Sequence, residues 1–395
     1  MQDSYKILFS VIRSALTGTA VDPEPFRGLD VDYQALLKLS VKHQITPLVF
    51  QGLYTITGDF PGIEKYYDVT FSLMCHDQNQ MRCLAQICRL FGDNGIDYML
   101  LKGSSIKSLY PATEMRIMGD IDILIREEQY PKIQELLPQT GLHEEYESNH
   151  ELVWKSDDGV MVELHKKLIP SYNDDYYTYY VNPWERAVLQ EGSRYAMTAE
   201  DEYIYIFTHL TKHYRDGGIG LRHIIDIWYY RRCHPELDMA YVGSELDKLE
   251  LHRFHDHIWD AICVWFEGAE ETELSAYITQ RILESGAYGL REKCEMATVA
   301  RLTAQEDSAE AARRHKLLTL IFLPYDSMKQ KYPILGKAPI LLPVYWVVRW
   351  VQVLVCKRDR ISGQVDSLKK INNENVDAYT RELEMVGLKF DLQKR

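Results

Sequence analysis

The chain has 395 residues, a formal net charge of −13 at pH 7, and a composition of 46% hydrophobic and 26% charged residues. This length predicts two or three globular domains that bury a substantial core. The acidic balance argues against a general affinity for nucleic acid, which needs a basic face. It leaves room for a local basic pocket that binds a nucleotide.

Cysteine usage and the N-terminus both favour a location inside the cell. The seven cysteines are scattered and form no CxxC pair, which predicts reduced thiols and no zinc knuckle. The apolar run at the N-terminus is too short for a signal peptide, and Arg13 interrupts it. We therefore expect a cytoplasmic protein.

Residues 1–94 are predicted to form an N-terminal helical region. Apolar residues recur at helical spacing from Tyr33 to Val41, and we expect this helix to stop at Pro47. A second periodic stretch closes at Gly92 and Gly95, since glycine is favoured at helix C-termini.

Residues 95–180 are predicted to form a compact α+β core. A short strand, DYMLLKG, runs into a glycine turn and a short helix, and DIDILI reads as a second strand. An amphipathic helix follows. A hairpin is then expected around Asp158-Gly159, a strong turn signal between two runs rich in Val, Leu and Trp.

Residues 181–395 are predicted to form a C-terminal helical domain. Its most apolar part, residues 340–356, contains Pro343 and Arg349 and is short of the roughly 20 residues that a spanning helix needs. We predict a buried or partner-facing helix there, with a helix at a membrane surface as the less favoured alternative.

Two carboxylates stand out within the second strand of the core. Asp120 and Asp122 are two positions apart, so on a strand they project from the same face, while Ile121 and Ile123 face the core. Such a pair is costly near apolar surface unless a cation neutralises it. The spacing is that of the Asp-x-Asp pattern that holds Mg²⁺, or alternatively Mn²⁺, in phosphoryl and nucleotidyl transfer.

A third carboxylate fits the same site. In VMVELH, Val160, Val162 and Leu164 read as the core face, which puts Glu163 on the opposite face with His165. If this strand lies beside that of Asp120 and Asp122, three carboxylates converge to hold metal. One of them would deprotonate or orient an attacking hydroxyl.

The Gly103-Ser104 turn is predicted to supply the phosphate-binding half of the site. Glycine lets the backbone approach a phosphate, and amides at a helix start bind anions. Ser104 is expected to donate to a terminal phosphate oxygen. Lys102 and Arg116 add positive charge on either side and are predicted phosphate contacts.

These motifs resemble the nucleotidyltransferase superfamily related to DNA polymerase beta. More narrowly, the chain resembles the bacterial family called uncharacterised nucleotidyltransferases, through Lys102-Gly103, Arg116 and Glu163-Leu164-His165. The later HLTKH and LRHIIDI are similar to that family's helical half. The resemblance implies an α+β fold with a small mixed-sheet nucleotidyltransferase core embedded in a mainly α-helical chain. It implies no particular acceptor.

Several cationic side chains are further candidates for nucleotide binding. His165 projects with Glu163 and is expected to hydrogen-bond a carboxylate or a phosphate. His209, Lys212 and His213 share one helix and are predicted to bind nucleotide phosphates or the acceptor; a packed histidine pair is the competing interpretation. Arg222 and Asp226, four residues apart, are expected to form an ion pair on one helix face.

The residues favour a Mg²⁺-dependent nucleotidyltransferase that moves a nucleoside monophosphate from an NTP, most simply ATP, to an unidentified acceptor. The acceptor group is a hydroxyl or a phosphate on a small molecule or a protein, and pyrophosphate is released. Two alternatives stay open. One is a catalytically silent nucleotide-sensing or partner-binding protein. The other is a phosphotransferase that uses the γ-phosphate.

Overall fold

A computed structural model of the chain describes residues 2–21, 31–148, 150–171, 173–287, 289–303, 308–356 and 368–389. The chain divides into two compact units. The first consists of Met1–Leu210 with Gly220–Ala287, and the second of Thr211–Ile219 with Tyr288–Arg395. The three-part division at residues 94 and 180 stays a prediction.

The first unit begins with helices, as the sequence predicts. They are α1 (Gln2–Thr17), α2 (Tyr33–Lys42), α3 (Thr46–Thr57) and α4 (Ile63–Asp93). The prediction that the second of them runs to Pro47 is wrong, because α2 already ends at Lys42. Pro47 instead lies in the first turn of α3, where its missing N–H removes no helical hydrogen bond.

A seven-stranded mixed sheet forms the centre of the first unit, which confirms the predicted α+β class. Its spatial order is β3-β4-β5-β2-β1-β7-β6. β2 pairs in parallel with β5 and antiparallel with β1, and β1 pairs in parallel with β7. The strands are β1 (Tyr98–Leu100), β2 (Ile121–Ile125), β3 (Leu142–Glu147), β4 (Glu151–Ser156), β5 (Met161–His165), β6 (Val188–Glu191) and β7 (Arg194–Ala196).

One face of the sheet carries the hydrophobic core. Ile121, Ile123 and Ile125 belong to a buried cluster that also contains Ile87 and Phe91 of α4. Because side chains alternate along a strand, Asp122 and Leu124 point to the opposite face. The predicted core face of β5 is confirmed too, since its apolar side chains join the same cluster. These are Val162 and Leu164, with Val160 just before the strand.

Two strands contradict the prediction that the chain is purely helical after residue 180. β6 and β7 form a hairpin around Gly192, and β7 pairs with β1. All four residues of β6 are exposed, so neither alternation nor burial marks the hairpin in the sequence. Pairing with β1 joins it to the rest of the sheet.

Short helices connect the strands, and longer ones follow the sheet. The short ones are α5 (Gly103–Ile106), α6 (Tyr130–Leu136) and α7 (Asp174–Tyr177). Helix α8 (Ala199–Arg215) starts at Thr198, whose Oγ1 accepts a hydrogen bond from the Asp201 amide at 3.1 Å. The other helices of the first unit are α9 (Leu221–Cys233), α10 (Met239–Lys248), α11 (His252–Ile262) and α12 (Glu273–Ser285).

The second unit is helical where the structure describes it. Its helices are α13 (Arg291–Thr303), α14 (Ala309–Ile321), α15 (Tyr325–Lys331), α16 (Leu342–Cys356) and α17 (Asn373–Met385). Helix α16 contains most of the segment predicted to be buried or partner-facing. It is not fully buried, because Val344 and Val351 are each 56% exposed. Among the described residues, no helix is both long and apolar enough to cross a membrane.

Candidate active site

Parallel pairing of β2 with β5 brings the three predicted carboxylates together. Asp122 and Glu163 are direct partners in the register, and Asp120 lies just before β2 and hydrogen-bonds Glu163. Burial and the nearby charges of Asp120 and Asp122 raise the pKa of Glu163 to about 8. Burial and the charge of Asp122 also raise the pKa of Asp120. Burial and the neighbouring carboxylates therefore both oppose ionisation of Asp120 and Glu163.

Asp122 differs from the other two because it has cationic and hydrogen-bonding partners. Its Oδ1 accepts from Lys102 Nζ at 2.6 Å and from His165 Nε2 at 2.7 Å. Burial alone would raise the pKa of Asp122, but the Lys102 ammonium and the His165 hydrogen bond outweigh it and hold this pKa below its usual range. Asp122 is therefore an ionised carboxylate.

Lys102 reaches Asp122 from a strained backbone conformation. Its φ of 50° and ψ of −122° lie in a region that favours glycine. Burial opposes the charge on its ammonium, but the carboxylate of Asp122 raises the pKa of Lys102. A non-glycine residue held in this region costs of order 1–3 kcal/mol, and such strain clusters at functional sites.

The Gly103-Ser104 turn supports the start of β2. Ser104 Oγ accepts a hydrogen bond from the Asp122 backbone amide at 3.0 Å. A Cβ at Gly103 would lie 3.0 Å from Met118 Cγ and 3.3 Å from an Arg116 guanidinium nitrogen, so glycine permits this close approach. The turn thus positions the acidic strand, and its predicted contact with phosphate stays a prediction.

Arg116 lies in a buried ion pair with Asp226 of α9. Its Nε and Nη2 donate to the two carboxylate oxygens at 2.7 to 3.1 Å, and its Nη1 donates to the Ile117 carbonyl at 2.7 Å. The Tyr110 hydroxyl also donates to Asp226, at 2.7 Å. This geometry favours a structural role for Arg116 over the predicted phosphate contact, because its three guanidinium nitrogens already have protein partners.

Arg222 is, after Lys102, the second cation whose charge acts on Asp120. Its Nη1 donates both to the Ile117 carbonyl, at 3.1 Å, and to Gln44 Oε1. Its charge lowers the pKa of Asp120 against the larger effect of burial. The sequence predicted an ion pair between Arg222 and Asp226. This prediction is wrong, because the carboxylate of Asp226 pairs with the buried guanidinium of Arg116 instead.

Two residues that the sequence did not mark extend the site, Glu151 at the start of β4 and His150 just before it. Glu151 pairs with His165 in the sheet register, and its carboxylate lies 3.9 Å from His165 Nδ1. His150 packs its ring 5.1 Å from that of His165. The alternation of Leu152 and Trp154 as core residues and the tight Asp158-Gly159 turn were the signal that places Glu151 opposite His165.

The three cationic candidates on α8 divide between the two units. His209 belongs to the first unit, is partly buried, and has its ring 6.4 Å from that of Tyr205. Lys212 and His213 belong to the second unit. Their part in nucleotide binding stays a prediction.

The family follows from a comparison with known proteins. A family model described as "Uncharacterised nucleotidyltransferase" matches residues 30–266, which is more than half of the chain and includes every strand of the sheet. The chain belongs to this family. The predicted resemblance is confirmed, and with it a general capacity for nucleotidyl transfer.

The other comparisons add little to the family assignment. The antibiotic-resistance factor ANT(2'')-Ia, solved in solution, is 15% identical over 45% of this chain and 99% of that chain, with a TM-score of 0.33. Nothing further is inferred from a likeness this low. No curated protein matches the chain.

The carboxylates of this nucleotidyltransferase fit a hard divalent cation. Asp120, Asp122 and Glu163 offer oxygen ligands, which Mg²⁺ and Mn²⁺ prefer. Both contacts of Asp122 are to Oδ1, and among the described residues no hydrogen bond reaches its Oδ2. Ligand atoms of Asp122, Glu163 and His165 lie within 4.8 Å of one another. A cation there would offset the burial and the carboxylate repulsion that together raise the pKa of Glu163.

A cavity of about 120 Å³ lies in the first unit beside Lys102. Its lining includes Leu101, Ser105, Tyr195, Met197, Glu202 and Tyr205. Tyr205 is 1% exposed, and its hydroxyl has no hydrogen-bond partner among the described residues. Burial raises the pKa of Glu202 against hydrogen bonds from Ser105 and Tyr230. The cavity therefore combines apolar walls with polar groups that a ligand can satisfy.

Proposed function

We propose that this member of the family transfers a nucleoside monophosphate from an NTP, most simply ATP, to a hydroxyl or phosphate of a small molecule or protein, in a Mg²⁺-dependent reaction. The observation that carries this proposal is the placement of Asp120, Asp122 and Glu163 on one face of paired strands. A structural cluster would be expected to avoid three adjacent carboxylates, two of which have raised pKa values.

Asp120, Asp122 and Glu163 would hold the cation. When bound, Mg²⁺ neutralises charge on the phosphates and stabilises the attacking and leaving oxygens. His165 positions Asp122 through its hydrogen bond, and Glu151 lies behind His165. Such supporting groups fix the orientation of a ligand carboxylate.

The remaining residues of the site would bind and orient the substrates. Lys102 and Arg222 supply positive charge next to the carboxylates, and Gly103-Ser104 would seat the triphosphate. For a hydroxyl acceptor, its oxygen forms a bond to the α-phosphorus while the bond from that phosphorus to the bridging oxygen breaks. Pyrophosphate leaves with the electron pair, and the hydroxyl proton passes to a carboxylate of the cluster.

The cavity beside Lys102 would receive part of a substrate. Its volume of about 120 Å³ is close to that of the roughly 150 Å³ engineered cavity that binds benzene, so it accommodates one ring-sized group. The free Tyr205 hydroxyl and the Glu202 carboxylate favour a group that both donates and accepts hydrogen bonds. A nucleobase and a hydroxylated acceptor ring both meet that description.

Labelled ATP tests the reaction type. The protein is incubated with Mg²⁺ and a mixture of candidate acceptors, with ATP labelled on either the α- or the γ-phosphorus. Label transferred from the α-position, with release of pyrophosphate, supports the proposal. Label transferred from the γ-position would make the protein a phosphotransferase.

Calorimetry tests the metal assignment. The double variant Asp120→Asn/Asp122→Asn should lose Mg²⁺-dependent ATP binding and keep its circular dichroism spectrum. Equal ATP binding by the two proteins would contradict the metal assignment. Wild-type binding without transfer to any acceptor would favour a nucleotide sensor.

A further inference from the structure

The second unit exposes an apolar helix face that the nucleotidyl-transfer site does not use. Val344, Val347, Val348 and Val351 project from one side of α16, and three of them are more than half exposed: Val344 56%, Val347 51% and Val351 56%. We name these four residues the valine face. Their spacing of three and four residues places them in one stripe along the helix.

Side chains on the opposite side of α16 anchor the helix to the C-terminal end of α14. Trp346 Nε1 and Trp350 Nε1 donate to the carbonyls of Leu323 and Ile321, at 2.9 and 2.7 Å. Arg349 is 8% exposed and donates to the Leu320 carbonyl at 3.0 Å. The helix thus directs its polar and aromatic atoms inward, at the C-terminal end of α14. The valine face is outward because of this anchoring.

More apolar surface adjoins the valine face in sequence. Ile340 is 88% exposed and Ile334 is 48% exposed. Isolated exposed apolar residues are ordinary, but a contiguous group of this kind marks an interaction surface.

The charge of the residues around the valine face indicates which kind of partner surface it fits. Residues 327–358 contain no Asp or Glu and six basic residues, in a chain whose net charge is −13. The exposed basic residues in the described part of this segment are Lys329, Lys331 and Lys337. A basic, apolar surface on an otherwise acidic protein is complementary to a surface that is anionic and has an apolar interior.

We propose that this surface binds a lipid bilayer that carries anionic headgroups. Helix α16 would lie in the plane of the interface, with the valine face among the upper acyl chains and the three lysines at the headgroups. No described helix is long and apolar enough to span a bilayer, so the contact is peripheral. The inference is independent of the proposed nucleotidyl transfer.

A second copy of the chain is a less suitable partner than a bilayer. A two-fold symmetric contact through the valine face would bring Lys329, Lys331 and Lys337 of both copies close together. Like charges across an interface oppose association. Anionic headgroups instead neutralise these lysines.

Vesicle sedimentation of the full chain tests the proposal. We expect it to sediment with vesicles in which about a third of the phosphatidylcholine is replaced by phosphatidylglycerol, and not with pure phosphatidylcholine vesicles. Binding should weaken as salt is raised. No binding to the anionic vesicles, or equal binding to both kinds, would overturn it.

Two sets of variants separate the charged from the apolar contribution. Lys329→Gln/Lys331→Gln/Lys337→Gln should weaken binding about 100-fold, since each basic residue near an anionic surface contributes about fivefold. The matched control Lys38→Gln/Lys65→Gln/Lys155→Gln changes the net charge equally, at exposed lysines of the first unit, and should retain binding. Equal losses in both would contradict the assignment.

Val347→Asp/Val351→Asp should abolish vesicle binding at any salt concentration. Phe71→Asp is its control, because Phe71 is 55% exposed on α4, and should leave binding unchanged. An unchanged circular dichroism spectrum and an unchanged thermal unfolding midpoint show that the variants are folded. A wild-type dimer that Val351→Asp dissociates, with no vesicle binding, would assign the surface to a second copy and refute the proposal.

Discussion

Asp122 and Glu163 stand opposite each other in the parallel register of β2 and β5, and Asp120, just before β2, hydrogen-bonds Glu163. The arrangement concentrates negative charge where the sheet is otherwise apolar. Three adjacent carboxylates help a protein to bind a cation, but without a cation their repulsion destabilises the fold. Substitutions in the cluster should therefore change activity and stability in opposite directions.

Asp120→Asn should lower nucleotidyl transfer at least 100-fold, because loss of a metal ligand exceeds the 10- to 100-fold effect of losing a supporting group. In a metal chelator the same variant should unfold at a temperature equal to or above that of the wild type, since one repelling charge is gone. Thermal unfolding and the labelled-ATP assay measure the two effects. A less stable but fully active variant would contradict the assignment.

Lys102 offers a test of the strained turn. Lys102→Ala and Lys102→Gly both remove the ion pair with Asp122, but only glycine adopts a φ of 50° without a Cβ penalty. The glycine variant should be more stable than the alanine variant by about 1–2 kcal/mol in urea unfolding. In an ordinary helix or strand interior, alanine is more stabilising than glycine. A more stable alanine variant at position 102 would therefore show that the backbone strain is absent.

The Arg116–Asp226 pair should be required for folding more than for nucleotide binding. Arg116→Met leaves the buried Asp226 carboxylate without its ionic partner, and should cost about 3–5 kcal/mol of unfolding free energy. Arg116→Met/Asp226→Leu should recover most of that loss. If Arg116 instead contacts phosphate, the single variant will be as stable as the wild type and will bind ATP more weakly.

His43 should make the first unit sensitive to acid. It is fully buried, its Nδ1 accepts from the Leu221 amide at 3.1 Å, and its Nε2 lies 3.2 Å from the Leu283 carbonyl. Burial lowers the pKa of His43 from 6.5 to about 4. Its contribution to the free energy of unfolding is therefore complete above pH 6.5 and is lost as the pH falls towards 4. The loss at pH 4 is about 3 kcal/mol.

The pH dependence of urea unfolding measures this contribution. The difference in unfolding free energy between the wild type and His43→Gln should shrink between pH 6.5 and 4, because glutamine takes up no proton. His143→Gln is the control, since the His143 side chain is 66% exposed, and its difference from the wild type should stay constant. A constant difference for His43→Gln would refute the assignment.

The sequence predicts those parts of the site that depend on local periodicity. Asp120, Asp122 and Glu163 stand out because the isoleucines and valines beside them alternate with a period of two, and alternation is a property of neighbouring residues. The hairpin at Asp158-Gly159 follows from turn chemistry that is equally local. The pairing of the two strands stayed a condition of that prediction, because alternation alone does not give it.

Contacts between residues that are distant in the chain could not be predicted from local sequence patterns. Arg116 and its partner Asp226 are 110 residues apart, and no local pattern reveals that they meet. The cavity group Tyr205 lies on a helix whose apolar residues read as ordinary core. The β6–β7 hairpin was missed because its strands are short, β6 is exposed, and its partner β1 lies far from it in the sequence.

The β1–β7 pairing has a consequence for how the protein can be made. β1 lies in the interior of the sheet, yet its partner β7 ends at Ala196, so during synthesis one edge of β1 stays unpaired until that residue is available. Pairing between such distant segments is slow, and an open strand edge invites aggregation. A fragment ending at residue 180, where the sequence suggested a domain boundary, should be insoluble. A fragment ending at residue 287 contains all seven strands and should remain soluble.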